Sequence, residues 1–224
     1  MSADPDEPLR RQAASPDVDD VTAWFERLYI AAERGEAVVP WDRGEPNPTL
    51  VEWAASRPSS AGQALVVGVG LGDDAEFVAG LGYATTAFDV SPTAIRSARE
   101  RFPRSAVSLA VADLLDPPPE WRGAFDLVVE SLTVQSMPRS VREAATRSVG
   151  SFVGVGGTLL VIATELGDGD PSSGPPWPLT RAEVEAFAGD EVRVVGIESH
   201  AHPHDSGARR WVGEFSVQRD TATD

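Results

Sequence analysis

Glycines and carboxylates cluster in one part of the chain in an order that suits a nucleotide-like ligand. Gly68, Gly70 and Gly72 lie in the stretch ALVVGVGLGDDAEFVAGLGY, residues 64–83, which has the pattern of a buried strand, a glycine turn and a helix. Glycine has no Cβ and tolerates positive φ, so backbone there can approach a ligand closely. The same run also fits the Gly-x-Gly-x-x-Ala fingerprint of dinucleotide-binding proteins. The turn alone therefore predicts a cofactor site without deciding between cofactors.

A carboxylate follows the second predicted strand at the position that a ribose requires. Asp89, with Val90 after it, stands about 20 residues beyond the glycine turn, where a carboxylate accepts hydrogen bonds from both hydroxyls of an adenosine ribose. Capping of the next helix is the alternative role of Asp89, but Ser91 can fill that role instead. Both S-adenosylmethionine (SAM) and NAD contain this ribose, so Asp89 does not choose between them.

Three further aspartates distinguish the two cofactors. Asp113, with Leu114, follows the third predicted strand, where SAM enzymes commonly bind the adenine amino group; turn formation is the alternative. Asp73 and Asp74 open the helix after the glycine turn, where NAD would place its pyrophosphate. Two carboxylates would repel that group, although for Asp74 a favourable interaction with the helix dipole explains the residue equally well. SAM has no phosphate and bears sulfonium and ammonium charges, so these residues favour SAM.

The elements that must position these side chains alternate between strand and helix. Strands are predicted at 64–68, 84–88, near 106–111, at 125–130 and at 158–163, and helices begin at 73, 92 and 139. This alternation is typical of parallel crossover units. Two alternating runs near the end, EVRVVGIES and RWVGEFSVQR, predict an antiparallel pair. We expect an α/β fold with a doubly wound, mostly parallel seven-stranded sheet, Rossmann-like as in class I methyltransferases, with an antiparallel C-terminal strand.

A helical cap is predicted before the sheet. Its first helix should begin at the capping sequence Ser15-Pro16-Asp17 and end at Gly35, and a second helix should follow near Leu50. The first helix carries an apolar stripe at helical spacing: Val21, Trp24, Phe25, Leu28, Tyr29 and Ala32. Residues 1–15 are expected to be a disordered tail, and residues 16–224 a single domain.

Composition narrows the class of partner. The net charge is −16, with no extended basic stripe, so nucleic acid is not an expected partner. Cysteine is absent, which excludes disulfides and thiolate chemistry. No apolar run approaches the roughly 20 residues of a membrane span. We expect a cytoplasmic protein with a small-molecule partner, a monomer or else a dimer, and no membrane association.

Two segments resemble a known methyltransferase family. VPWDRGEPNPTLVEW, residues 39–53, is similar to the Trp-Asp-x-Gly-x-x-x-Pro segment of plant halide/thiol methyltransferases. FDLVVESLTVQSMPRSVREAA and the later GGTLLVIATELGDGDPSSGPPWPLTRAEVEAF resemble thiopurine S-methyltransferases, especially in the Gly-Pro-Pro-aromatic run at 174–180. The similarity covers about residues 22–199. Where the family usually has Asp-Arg, this chain has Glu130-Ser131.

The resemblance implies that the region of Trp24 to Trp41 closes over SAM, with Trp41 beside its methionine part. Glu130 and Ser131, after the fourth strand, are further candidate cofactor contacts. Glu130 is also a candidate base for a nitrogen or oxygen acceptor, although we favour contact with the methionine ammonium. Core packing is the preferred explanation for Trp24, which is kept as a candidate substrate contact together with Tyr29.

The remaining candidate substrate contacts lie in later loops. Trp177 is a candidate aromatic wall of the acceptor pocket, and Arg209 and Arg210 could meet an anionic acceptor or face solvent. His200, His202 and His204 could together bind zinc or nickel. Pro203 interrupts their alternation and no carboxylate spacing supports a closed site, so a polar rim is favoured and no metal is expected.

These observations predict an enzyme, a SAM-dependent methyltransferase that modifies a small molecule, most plausibly a thiol. A thiol is partly ionised near neutral pH, so the lack of an obvious base fits this acceptor. The alternatives are N- or O-methylation, an NAD(P)-dependent oxidoreductase, and a non-catalytic SAM-binding module.

Overall fold

A seven-stranded sheet organises the chain in the computed structural model, which describes residues 23–57, 61–167, 175–202 and 205–218. The elements in chain order are α1 (Ala23–Glu33), α2 (Pro48–Ala55), β1 (Gln63–Val67), α3 (Asp73–Gly80), β2 (Ala84–Asp89), α4 (Pro92–Arg101), β3 (Ser108–Val111), β4 (Phe125–Ser131), α5 (Arg139–Ser151), β5 (Val153–Thr164), α6 (Arg181–Glu185), β6 (Val192–His202) and β7 (Asp205–Val217). Short 3-10 turns lie at Pro119–Trp121 and Val134–Ser136.

The strand order is β3-β2-β1-β4-β5-β7-β6. β1 pairs in parallel with both β2 and β4, while β7 is antiparallel to both of its neighbours, β5 and β6. The predicted doubly wound sheet with an antiparallel C-terminal strand is therefore confirmed. The chain runs from β1 through β2 to β3 on one side of β1 and then crosses to β4 on the other side. The crevice beyond the carboxyl ends of β1 and β4 is therefore the expected ligand site.

Two apolar layers cover the two faces of the sheet. Side chains alternate along each strand, so neighbours such as Val128 and Val129 of β4 join different layers. One layer includes Val149 of α5, and the other includes Ile95 of α4. Each fully buried side chain of this kind contributes about 1.5–3 kcal/mol, so the sheet is a firm support for the loops at its edge.

Local signals set several element ends. Gly35, at φ 72°, ends α1: its N–H donates to the carbonyl of Ala32, and that of Glu36 donates to Ala31. Asn47 caps α2 by accepting from the Thr49 N–H, and proline follows the cap. The predicted beginning of the first helix at Ser15 and the predicted tail at 1–15 lie outside the described residues.

The beginning of β5 and the presence of α6 differ from what the sequence pattern predicts. β5 begins at Val153, five residues before the predicted start at 158, and has an irregular register beside β4. α6 is a short helix with a capping box between Thr180 and Glu183 that periodicity did not indicate. In the part of the chain that the structure describes, no helix is long and apolar enough to cross a membrane.

Candidate active site

The glycine turn after β1 requires its glycines. Gly68, Gly70 and Gly72 have φ of 64°, 55° and 102°, a region that side chains with a Cβ rarely adopt. A Cβ on Gly70 would lie 3.1 Å from the Tyr29 hydroxyl, so a larger residue there would require the hydroxyl to shift by a few tenths of an ångström. The positive φ angles of its glycines therefore give the turn its shape, and Tyr29 of α1 covers it.

Two clefts meet at this turn. The first lies beyond the carboxyl ends of β2, β3 and β4 and has about 580 Å³ of space, part of it open to solvent. Its walls contain these sequence-predicted residues: Tyr29, Trp41, Gly68, Asp89, Val90, Asp113, Leu114 and Ser131. The second runs along the glycine turn, has about 600 Å³ of space that is also partly open to solvent, and contains Gly70 and Gly72. The clefts share Trp41, Gly68, Ser131 and Leu132, so they form one continuous elongated site.

Asp89 connects the glycine turn to α4. Its Oδ2 accepts from the Gly70 N–H at 3.1 Å and its Oδ1 from the Ser91 N–H at 3.0 Å. Burial raises the pKa of Asp89 to about 6, although these backbone hydrogen bonds oppose the rise. Ser91 provides the side-chain cap of α4 by accepting from the Ala94 N–H at 3.0 Å. Each carboxylate oxygen has a second lone pair, so Asp89 can still accept from a ligand.

Asp113 combines both of the roles considered for it. Its Oδ1 accepts from the Leu115 N–H at 2.8 Å, which is an Asx turn, and the residue also lines the first cleft beside Leu114. The turn holds the aspartate at the cleft wall, so turn formation does not argue against ligand contact.

Tyr29 and Trp41 close the mouth of the clefts as a hydrogen-bonded pair. The Trp41 indole N–H donates to the Tyr29 hydroxyl at 2.8 Å, and the rings meet edge to face. Burial raises the pKa of Tyr29 well above its ordinary value, and the nearby Asp89 charge adds to the rise. Tyr29 therefore stays protonated and lies in the same cleft as Asp89.

Trp24 is a packing residue, as preferred from the sequence. It is 3% exposed, does not line either cleft, and belongs to an aromatic cluster, which we define as Trp24, Phe25, Trp41 and Trp177. Phe25 and Trp41 line the first cleft, whereas Trp177 packs against the buried pair Trp24 and Leu28. The cluster is thus continuous from the cleft wall to the segment after β5.

Glu130 does not stand where either role predicted for it would need it. It is 1% exposed, lines neither cleft, and its Oε1 accepts from the N–H groups of Thr133 and Val134, both at 2.8 Å. Burial raises its pKa to about 7. The physical reason is that the Glu130 carboxylate, on the same face of β4 as Val128, turns back to the backbone of the following turn, while Ser131, the last residue of β4, lies in both cleft walls.

Arg209 and Arg210 lie on β7 away from both clefts. Arg209 donates to the Ser199 carbonyl at 2.8 Å and forms an ion pair with Glu165 at 3.2 Å, and Arg210 donates to Thr164 at 2.9 Å. The structure therefore does not bring either arginine to the cleft walls predicted for a substrate contact.

The histidines give no metal cluster in the described part of the chain. The His200 ring Nε2 lies 3.2 Å from Glu198, while His204 and the side chain of His202 fall outside what the structure describes. Among the described residues there is no group of three or more His, Cys, Asp or Glu that could hold a metal ion.

The sequence did not single out Leu132, which lies in both cleft walls. It has φ 64°, a region that costs a branched side chain about 1–3 kcal/mol. Glu130, which holds the next two backbone N–H groups, maintains this conformation. Sequence patterns reveal such a turn when it contains glycine or asparagine, and leucine gives no such signal.

The second cleft is acidic. Asp42, Glu45, Asp73 and Asp74 line it with Arg43 as the one cation among the described lining residues. Asp74 accepts from the Asn47 N–H at 2.6 Å and from the Ser131 hydroxyl, and burial raises its pKa. Asp73 and Asp42 both pair with Arg101, at 3.3 and 3.2 Å. This lining suits a cationic ligand end and disfavours a pyrophosphate.

The sheet order, with paired clefts at its switch point, is the fold of class I methyltransferases. The model of the thiopurine S-methyltransferase family matches residues 33–214, and the chain belongs to that family. This family match makes the chain a SAM-dependent methyltransferase, with SAM as its cofactor. A curated relative is the 2-heptyl-1-hydroxyquinolin-4(1H)-one methyltransferase of Mycobacteroides abscessus, 24% identical over an alignment of 208 residues that covers 87% of this chain and 91% of that protein. The chain is accordingly an enzyme that methylates small molecules.

Solved structures share the fold. One, described as concerning conversion of a disulfide bond into a thioacetal group during echinomycin biosynthesis, has a TM-score of 0.69 at 24% identity, covering 88% of this chain and 95% of that chain. A second is the Burkholderia thailandensis 1,6-didemethyltoxoflavin-N1-methyltransferase, with a TM-score of 0.67 at 15% identity and 92% of each chain covered. A third is the glycopeptide N-methyltransferase MtfA with SAM, with a TM-score of 0.63 at 15% identity, covering 81% of this chain and 99% of that chain.

Proposed function

We propose that this methyltransferase transfers the methyl group of SAM to the sulfur of a small thiol. The observation that carries the proposal is the state of the titratable side chains in the first cleft. Asp89 is held by two backbone N–H groups, Asp113 forms a turn, and Tyr29 is buried with a raised pKa. Because Asp89 and Asp113 are assigned to the cofactor and Tyr29 stays protonated, none of the three serves as a base for an acceptor, and a thiol with a pKa near 8.5 needs little help.

The site fits SAM in shape and charge. We assign the adenosine part to the first cleft, with Asp89 and Val90 at the ribose and Asp113 and Leu114 at the adenine. We assign the methionine part to the second cleft, along Gly68, Gly70 and Gly72, beneath Trp41 and beside Ser131. The acidic lining of that cleft complements the ammonium and sulfonium charges.

Bound SAM supplies an electrophilic methyl group on a sulfonium. The chain's own contribution is alignment and exclusion of water: the Tyr29–Trp41 pair covers the glycine turn, and Phe25 extends the apolar wall. Alignment of this kind contributes several kcal/mol to a displacement reaction. Phe25 and Trp41 of the aromatic cluster line the first cleft and would present ring faces to a flat acceptor, with Trp177 packed behind them in the same cluster.

Oxygen or nitrogen methylation is the second candidate, because the relatives named above act on a hydroxyquinolinone and on a toxoflavin precursor. Such acceptors are heteroaromatic. Ionisation of an acidic N-hydroxyl group at neutral pH would equally dispense with a protein base.

A radiolabel assay with methyl-tritiated SAM tests the proposal. The acceptors are thiophenol, 2-heptyl-1-hydroxyquinolin-4(1H)-one, aniline and iodide, each with Asp89→Ala as the control for methyl transfer that does not depend on the cofactor site. Highest turnover with thiophenol supports S-methylation, and higher turnover with the hydroxyquinolinone or aniline moves the assignment to oxygen or nitrogen. SAM binding by calorimetry without turnover of any acceptor would contradict the proposal, as would tighter binding of NAD than of SAM.

A further inference from the structure

Arg142 is a buried cation whose guanidinium joins three segments around the site. It lies on α5 and is 6% exposed. Its Nε donates to the Met137 carbonyl at 3.0 Å, its Nη2 to the Gln135 carbonyl at 3.2 Å, and its Nη1 pairs with Glu183 at 3.1 Å. Its carbon Cζ lies 5.6 Å from the ring centre of Trp177. Every nitrogen of the side chain is therefore engaged.

The partners of Arg142 connect the cleft wall to Trp177. The Gln135 carbonyl, which accepts from Arg142, also accepts from the Trp177 N–H at 2.9 Å. Ser136 and Met137, next in the chain, line the first cleft. Gln135 is 1% exposed, and its side-chain oxygen accepts from the Thr164 N–H at 2.6 Å. This hydrogen bond holds Gln135, and with it the backbone carbonyl, at the end of β5. One guanidinium thus contacts the segment that forms the cleft wall and also lies beside the tryptophan.

Glu183 connects Arg142 to the beginning of α6. Its carboxylate forms the capping box of α6 with Thr180 and also pairs with Arg142, so α6 begins at a defined distance from α5. Burial lowers the pKa of Arg142, while the Glu183 charge opposes this, and an arginine retains its charge in proteins. A charged guanidinium without these acceptors would be costly in the interior, so the three segments stay assembled around it.

We propose that Arg142 is a positioning residue for the acceptor side of the active site: it holds Trp177 against the Ser136–Met137 wall so that the ring can receive an acceptor. The proposal rests on the methyltransferase function proposed above. Arg142 lines neither cleft, so it acts through Trp177 and through the carbonyls it binds.

A double-mutant cycle tests the proposal, using Arg142→Met, Trp177→Ala and the double variant. Kinetics are measured with whichever of thiophenol and 2-heptyl-1-hydroxyquinolin-4(1H)-one the parent enzyme turns over faster. Arg142→Met should raise the acceptor KM about tenfold while the SAM Kd changes less than about threefold. The double variant should resemble Trp177→Ala alone. Independent, multiplicative effects of the two substitutions would overturn the proposal, as would an equal loss of SAM affinity.

The matched control is Arg147→Met on the same helix, because Arg147 is exposed and pairs only with Glu143 among the ion pairs described. It should leave the acceptor KM unchanged. If Arg142→Met does not fold, Arg142→Lys replaces it: lysine keeps the charge but cannot reach all three acceptors, so a smaller rise in acceptor KM is expected. An acceptor KM equal to that of the parent would count against the proposal.

A fluorescence measurement separates this inference from the proposed function. Acrylamide quenching of Trp177 is obtained as the difference between each protein and its Trp177→Phe counterpart, with or without Arg142→Met, and needs no turnover. Greater quenching of Trp177 after loss of Arg142 supports the positioning role even if no acceptor in the panel reacts. If quenching of Trp177 is unchanged in an Arg142→Met protein that binds SAM and turns over an acceptor, the positioning role is refuted while the proposed function stands.

Discussion

Asp89 holds the glycine turn to the beginning of α4 through two backbone N–H groups, and the same carboxylate is the proposed ribose ligand. Its two functions are linked, because a change at this position alters both the shape of the cleft and its binding capacity. Its place after β2 could be predicted from spacing alone. Its interaction with the Gly70 N–H could not, because that depends on the turn conformation.

Replacing Asp89 by alanine should weaken SAM binding by about 2–4 kcal/mol, since two charge-assisted hydrogen bonds are lost. Isothermal titration calorimetry at pH 7.5 measures the effect. Asp116→Ala, an exposed aspartate close to Asp113, is the control and should bind SAM normally. Equal affinity of the Asp89 variant and the parent protein would show that the ribose lies elsewhere.

SAM affinity should also depend on pH through Asp89. Its pKa is about 6 in the free protein, and hydrogen bonds from ribose hydroxyls favour the ionised form. The Kd should therefore be constant above about pH 7 and rise as the pH falls below about 6. Calorimetry from pH 5 to pH 8 measures this, and Asp89→Asn should give weaker binding with a flatter profile. A parent Kd that is independent of pH over this range contradicts the assignment.

Three candidate site residues that line neither cleft, Glu130, Arg209 and Arg210, show where sequence reasoning stops. Glu130 and Ser131 both looked like site residues because they end a strand, yet alternation sends only one of them to the cleft. Which one depends on strand register, which the apolar run FDLVVES does not reveal. Arg209 and Arg210 were likewise assigned from charge, and their ion pair and hydrogen bonds on β7 became evident only from tertiary structure.

At the scale of elements, α1 is attached to the N-terminus of α4. Glu26 of α1 accepts from the hydroxyl of Ser91 and from both the N–H and hydroxyl of Thr93, at 3.1 and 2.7 Å for the latter two. Glu33, two turns later, pairs with Arg96 at 2.7 Å. The helix that carries Tyr29 is therefore positioned by a carboxylate at a helix N-terminus, a favourable location for negative charge.

Glu26→Ala should destabilise the fold by about 1–2 kcal/mol, because it removes the acceptor of several hydrogen bonds at a helix end. SAM affinity should fall as well, since Tyr29 and Trp41 lose their support. Urea unfolding and calorimetry measure the two effects. Glu33→Ala is the control: its ion pair is largely exposed, so less than about 1 kcal/mol is expected. Comparable losses for the two variants would refute the special role of Glu26.

The spacing of apolar residues predicted most of the helices and strands. Capping and turn residues predicted the ends of only some of them. Trp24, Leu28 and Tyr29 of the predicted stripe are buried in α1, and β6 and β7 form the predicted antiparallel pair, although a register shift near Val194 interrupts the alternation of β6. α6 escaped notice because five residues are too few for a helical period, and its capping box depends on Thr180 and Glu183 adopting a particular geometry.

For the whole molecule, buried carboxyls govern the pH dependence of stability. Burial raises the pKa values of Asp89 to about 6 and Glu130 to about 7, and that of Asp74 is also raised. Between about pH 4.5 and 7 the folded protein then binds more protons than the unfolded chain, so the free energy of unfolding falls as the pH rises through this window. The net charge of −16 adds self-repulsion in the same direction.

We expect the protein without cofactor to unfold at higher urea concentration at pH 5.5 than at pH 8. Glu130→Gln removes the buried charge and keeps an amide oxygen for Thr133 and Val134, so it should reduce this difference, by on the order of 3 kcal/mol at most. Asp116→Asn should leave the difference unchanged. Higher stability of the parent at pH 8 than at pH 5.5 would contradict the explanation.

The placement of β7 between β5 and β6 has a consequence for the order in which the chain is synthesised. When the apolar strand β5 leaves the ribosome, the backbone N–H and C=O groups along one of its edges have no partner strand. β6 is made next, but it does not pair with β5. That edge stays unpaired until β7 has been translated. A nascent chain that stops between β5 and β7 can therefore pair its exposed edge with a strand of another molecule. Holdase chaperones that bind extended apolar segments should therefore engage this protein late in translation.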